Sequence, residues 1–211
     1  MSGVSRVLSW FGVFAGFCFL TLQFIITIQA RLELGDNLLG ALWFLLTFFT
    51  VLSNIGVLAV HISARFDWPH FAWFRRAYVR TMLAVLILIV MVVYHLVLAP
   101  LWQPKGFFAV ANIGLHYITP LIYLGWWTLF RREHAASFGD IPAMLLPPVL
   151  YLIWAMARGL AIGEYPYPFL DMAELGFGRT ALNSAALFLT IGLLYSLFIL
   201  LEGRLPRAKS L

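Results

Sequence analysis

Residues 78–101 read YVRTMLAVLILIVMVVYHLVLAPL, and Arg80 is the only formally charged side chain among them. At about 1.5 Å of rise per residue, such a stretch is long enough to cross the roughly 30 Å hydrocarbon layer of a bilayer. It shows no strand-like alternation. Inside hydrocarbon the backbone must pair with itself, so the stretch is predicted to be a transmembrane helix.

Working outward, runs of the same kind occupy residues 7–30, 38–62, 107–130, 141–157 and 178–201. With 78–101 they make six spans in 211 residues. The predicted fold is therefore all-α: one polytopic domain over 1–211, a bundle of six transmembrane helices. The composition agrees. Apolar residues make up 63% and charged residues 11%, against about half and a quarter in soluble proteins. No repeat, low-complexity tract or separate soluble domain stands out. The first run is longer than a signal-peptide core and lacks a clear small-residue cleavage site, so it reads as the first span.

The net charge of +5 would suggest nucleic acid in a soluble protein. Here the basic residues sit at span ends, and no nucleic-acid partner is expected. Arg6, Arg65, Arg75, Arg76, Arg80, Arg131, Arg132, Arg204, Arg207 and Lys209 fall on the side of the termini, and Arg31, Lys105, Arg158 and Arg179 on the other. The asymmetry puts both termini in the cytoplasm, which for a bacterial chain means a multi-pass inner-membrane protein. Several tryptophans, among them Trp10, Trp43, Trp68, Trp73, Trp102, Trp126 and Trp127, lie near run ends, as an interfacial belt requires. The single cysteine, Cys18, makes no internal disulfide and no zinc site. No metal or cofactor is expected, and the sequence sets no oligomeric state.

Polar side chains inside spans are costly and therefore informative. Thr47, Thr50 and Asn54 are spaced three and four apart, and so are Asn112, His116, Thr119 and Tyr123. Each set forms one helix face. Thr50 lies twelve residues past Leu38 and His116 nine past Phe107 on spans running the same way, so their depths differ by about 5 Å. Gln23, His95, Asn183 and Arg158 also fall in the outer halves. The pattern predicts a polar pocket in the outer leaflet. Pro120 cannot donate to the carbonyl of His116 and should bend the fourth span there. Plainer roles exist for each residue. A membrane threonine bonds back to a carbonyl three or four residues earlier, here Thr47 or Leu46. His95 and His116 can bridge helices, Asn54 and Asn183 can act as interhelical glue, and Arg158, Lys105 and Arg179 can snorkel to headgroups.

Three segments, FFTVLSN (48–54), GLHYITPLIYLGWW (114–127) and EYPYPFLDM (164–172), resemble the androgen-inducible six-helix membrane family and its bacterial relatives. The most distinctive block is YPYPFLD. Animal members of that family hydrolyse fatty acid esters of hydroxy fatty acids with a threonine nucleophile and a histidine. The resemblance implies a lipid ester substrate, with Thr50 as nucleophile and His116 as base. A neutral threonine hydroxyl needs such a base. Candidate donors to the oxyanion, or polar contacts to substrate, are Asn54, Asn112, Asn183, Arg158 and His95. No acidic residue lies in the apolar core to orient the histidine, and Asp171 could reach in only from the loop. Ser53, Asn54 and the stretch around Arg158 differ from the animal members, which leaves the substrate open.

Three other functions share the sequence. A channel or transporter could use the Thr47–Thr50–Asn54 face with His61 at its inner end. A haem protein could use His95 and His116 as axial ligands. An accessory protein would need the polar residues only for packing. The orientation is checked by topology: a cysteine introduced in RREHAASFGD resists impermeant thiol reagents in intact cells. Labelling there, with protection in YPYPFLD, reverses the assignment.

Overall fold

In the computed structural model, which describes residues 3–130 and 134–205, every regular element is helical. The chain is an all-α polytopic membrane protein. Gly3–Glu33 forms α1, Leu38–Leu45 α2, Phe49–Ser63 α3 and Ala77–Val93 α4. Gly106–Ile113 forms α5, Thr119–Leu129 α6, Ile141–Ile162 α7 and Met172–Glu202 α8. Among the described residues five helices are long and apolar enough to cross a bilayer, and the bent pair α2–α3 together passes the same measure of length and apolarity. Arg131, Arg132, Arg207 and Lys209, used above for orientation, lie outside the described residues.

The stretch that decided the fold is also the centre of the bundle. Beyond Arg80 and Thr81 in its first turns α4 is apolar all round, and it packs against α3, α6, α7 and α8, with Val79, Ala84, Val85 and Ile87 fully buried. A helix without a polar face belongs inside. The peripheral helices turn residues such as Phe14, Phe17, Leu150, Ile153, Leu189 and Leu193 outward, toward lipid.

The second span departs from the expected straight helix. It breaks between Leu45 and Phe49 and bends by 81°. The Thr47 hydroxyl donates back to the carbonyl of Trp43 (2.8 Å), and the Thr47 carbonyl accepts from the Tyr151 hydroxyl (2.9 Å). Val51 then takes the carbonyl of Phe48 instead of that of Thr47. Phe48 is extended, with φ −82° and ψ 121°. One other boundary moves. α7 runs on to Ile162, so Arg158 lies within it. α8 opens with a short turn from Met172, where the Asp171 carboxylate caps the amides of Ala173 and Glu174, and a kink at Gly176 (φ 73°, ψ 164°) separates that turn from the long helix beyond it, which starts close to the expected residue 178. Trp126 and Trp127 are core residues rather than part of an interfacial belt.

α4 and α5 each end in one π turn, Tyr94–Leu98 and Gly114–Ile118, and α6 continues from the second. The second turn shows what Pro120 does. The amide of Thr119 bonds the carbonyl of Gly114, one residue further back than in an α-helix. Proline supplies no N–H, so the carbonyl of Leu115 gains no donor from its own helix. It is free for a donor from elsewhere.

α1 meets α3 along small residues. Ser9, Gly12 and Gly16 follow one another at helical spacing, and the Ser9 hydroxyl donates to the carbonyl of His61 (3.2 Å). A Cβ on Gly12 would lie 2.2 Å from the His61 ring, which is itself fully buried. Lipid tails are as apolar as the helices, so close contact of this kind, rather than a hydrophobic drive, holds spans together. Gly12→Ala is therefore expected to cost about 1–3 kcal/mol, the usual range for overpacking. Gly192→Ala, where a Cβ meets open space, is the control. Thermal unfolding in detergent distinguishes the two.

Candidate active site

The break in the second span sets the position of Thr50. α3 starts at Phe49, so Thr50 is its second residue, 8% exposed. No helical carbonyl lies three or four residues back, and the plainer role for its hydroxyl disappears. The Thr50 Oγ1 instead lies 3.2 Å from His116 Nε2. His116 stands in the π turn, and its Nδ1 lies 3.0 Å from the carbonyl of Asn112. That carbonyl can only accept, so Nδ1 carries the proton and Nε2 is left to accept from Thr50. The orienting group is thus a backbone carbonyl of the same helix, not a carboxylate. The ring is also fixed by Tyr94, stacked on it with centroids 3.9 Å apart and planes at 24°.

Asn54 locks the two helices in register. Its Nδ2 donates to the carbonyls of Thr50 (2.8 Å) and Leu115 (3.1 Å), and its Oδ1 accepts from the Thr119 hydroxyl. The Leu115 carbonyl is the one that Pro120 leaves without a helical donor. Asn54 is thereby fully used and has no donor left for an oxyanion.

The other expected polar contacts divide. Asn112 stays on the cavity wall with its Nδ2 on the Tyr94 hydroxyl and its buried Oδ1 without a partner. Asn183 is not at the site: it donates to the carbonyl of Phe169 (3.0 Å) and pins the loop 163–171. His95 is exposed and pairs with the Tyr117 hydroxyl (3.1 Å). It points away from the pocket because residues 94 and 95 occupy different faces, and it does not confront His116 across a ligand. Arg158 neither reaches Thr50 nor snorkels outward. Its side chain is 4% exposed and bonds the Glu164 carboxylate (2.6 Å) and carbonyl (2.8 Å). Asp171 serves as a helix cap. His61 lines no route, being packed edge-on against Tyr123 and Trp126.

Sequence reasoning missed the tyrosines and the backbone. The amides of Phe49 and Thr50 open α3 and have no backbone acceptor. The first amides of any helix lack one. The Tyr167 hydroxyl lies beside both amides and beside the Thr50 hydroxyl. Burial pushes the Tyr167 phenol up, against the opposite pull of the Thr50 and Phe49 donors, so it remains a protonated donor. The signal in the sequence was the YPYPFLD block, but not which of its residues turns inward.

Two cavities meet at Thr50. One, of about 270 Å³, is lined by His116, Asn112, Gln23 and Trp102 and roofed by Pro166, Tyr167 and Pro168. The other, about 60 Å³ and almost wholly apolar, runs between Ile89, Pro148, Leu187 and Ile191. Thr50, Tyr94, Leu98 and Tyr167 border both. The class this defines is a polytopic membrane protein with a buried threonine paired to a half-buried histidine between an apolar and a more polar chamber. Compared with protein-family models, curated proteins and solved structures, the chain matches none of them.

Asn54→Leu keeps the volume but leaves the Leu115 carbonyl without a donor. The expected loss is about 1–3 kcal/mol of stability, the cost of an unmet buried polar group. Detergent-phase melting measures it. An unchanged melting point removes Asn54 as the clamp.

Proposed function

We propose that the protein is an intramembrane hydrolase of lipid carboxylic esters, fatty acid esters of hydroxy fatty acids or similar, related to the androgen-inducible six-helix family. Thr50 is the nucleophile and His116 the base, and the protein sits in the bacterial inner membrane with both termini cytoplasmic. The observation that carries the reading is the 3.2 Å contact between Thr50 Oγ1 and an imidazole nitrogen left free to accept.

The reaction runs in two halves. Thr50 Oγ1 attacks the ester carbonyl carbon while His116 Nε2 takes its proton. The tetrahedral oxyanion takes over from the Tyr167 oxygen as acceptor of the Phe49 and Thr50 amides, and the Tyr167 hydroxyl turns to donate to it. The C–O bond to the alcohol breaks, and His116 gives that oxygen its proton. Water then attacks the acyl-threonine, its proton passing to His116 and on to Thr50 as the free acid leaves. The apolar chamber suits a hydrocarbon chain. Acyl chains gain little by leaving lipid for it, so selectivity rests on shape and on polar groups.

A fluorophosphonate probe labels Thr50 in the purified protein. Thr50→Ala abolishes labelling and hydrolysis of long-chain esters, and Thr50→Ser keeps some of both because the hydroxyl survives. His116→Ala lowers the rate by about a hundredfold or more, the scale of general base catalysis. Activity falls in acid, since a protonated imidazole accepts no proton. Ser53 is the control, being buried one turn away with its hydroxyl unpartnered. If Ser53→Ala kills activity and Thr50→Ala does not, the nucleophile is misassigned. If neither substitution affects hydrolysis, the esterase reading falls.

A further inference from the structure

A third cavity, about 300 Å³, opens beside the reaction chamber and is bordered by Arg31, Arg158, Thr47, Glu164 and Asp171. It shares Phe48 and Pro166 with the chamber that holds His116. Two guanidiniums converge there on the ring of Phe44, Arg31 at 4.3 Å and Arg158 at 6.0 Å from its centroid. They come from opposite ends of the sequence, at the end of α1 and near the end of α7.

Neither guanidinium is fully used. Arg31 bonds Asp36 through Nε alone (2.5 Å). Arg158 bonds Glu164 through its two terminal nitrogens, while its buried Nε has no acceptor. A guanidinium offers Nε–H and one terminal N–H as a parallel pair, which a planar carboxylate fits with two bonds. A buried arginine needs an anion beside it, because an unpaired buried charge is costly. Glu164 provides one, but its side chain is 46% exposed and can turn out into water at little cost. Replacing it by another carboxylate leaves the buried charge count unchanged.

We propose that this cavity is a carboxylate subsite, in which a free acid group on the ester substrate displaces Glu164 from Arg158, with Arg31 as the second cation. The proposal deepens the esterase reading above and rests on it for the identity of the substrate. The acid group at the rim, bound next to Phe48 and Pro166, would fix which ester bond along the molecule lies over Thr50. The Glu164 side chain tethers the loop 163–171 to α7, so substrate binding would also release one fastening of that roof.

The test uses ether analogues, in which an ether replaces the ester so that no reaction is needed. Three versions, with a free carboxylate, a methyl-capped carboxylate and a phosphate, are titrated against the full chain in lipid nanodiscs. The carboxylate version is expected to bind about tenfold more tightly than the capped one, the usual scale for a charge-assisted bidentate pair. Arg158→Gln removes that preference, Arg158→Lys restores part of it, and Glu164→Gln strengthens acid binding by removing the competitor. Equal binding of acid and capped analogues to the unaltered protein overturns the proposal. So does a phosphate analogue that binds as well as the acid, since the site would then be a general anion site. If Arg158→Gln does not fold, Glu164→Gln decides alone, and unchanged or weaker acid binding counts against the subsite. Because the analogues cannot react, the result is independent of whether Thr50 is the nucleophile, which the labelling experiment decides.

Discussion

A peptide group inside hydrocarbon has no water to turn to, and this constraint organises the site. The second span is broken where a straight helix would have satisfied itself. The cost is met by specific partners: Tyr151 for the carbonyl of Thr47, and Tyr167 beside the amides of Phe49 and Thr50. Irregular backbone at this depth is tolerated where it lines a cavity, and here two cavities meet at the break. The same break that leaves amides without helical acceptors puts Thr50 at a helix start. Thr50 and the free amides beside it thus owe their placement to one local departure from helical geometry.

The histidine side is built by a matching departure. The π turn at Gly114–Ile118 and the missing N–H of Pro120 together free the carbonyl of Leu115, which Asn54 takes up from α3. That bond ties the helix of Thr50 to the helix of His116. A Cβ on Gly114 would lie 2.2 Å from the Phe19 ring, so α1 closes tightly over the turn from the other side. The Thr50–His116 distance is therefore set by packing among α1, α3 and the α5–α6 span rather than by either residue alone. The loop 163–171 completes the enclosure, fastened by Arg158 at its start, Asn183 at Phe169 and the Asp171 cap at its end.

The amino-acid sequence alone determined the solvent, the helical class, the number of apolar runs and the level at which Thr50 and His116 lie. These follow from composition and from a rise of about 1.5 Å per residue, which need no knowledge of neighbours. Depth along a helix is a one-dimensional quantity. Orientation around a helix and the choice of partner are not, and there only the tertiary structure decided. Asn54, Asn112, Asn183, His95 and Arg158 looked alike as polar residues in outer half-spans. They proved to be a clamp, a cavity wall, a loop anchor, an outward-facing side chain and a buried ion pair. The break at Leu46–Phe48 was invisible because no proline or glycine marks it. The group that takes the freed Thr47 carbonyl there is a hydroxyl on Tyr151, more than a hundred residues away in the chain. A distant group can take a carbonyl from a helix only once the helices are packed, and no local pattern records it.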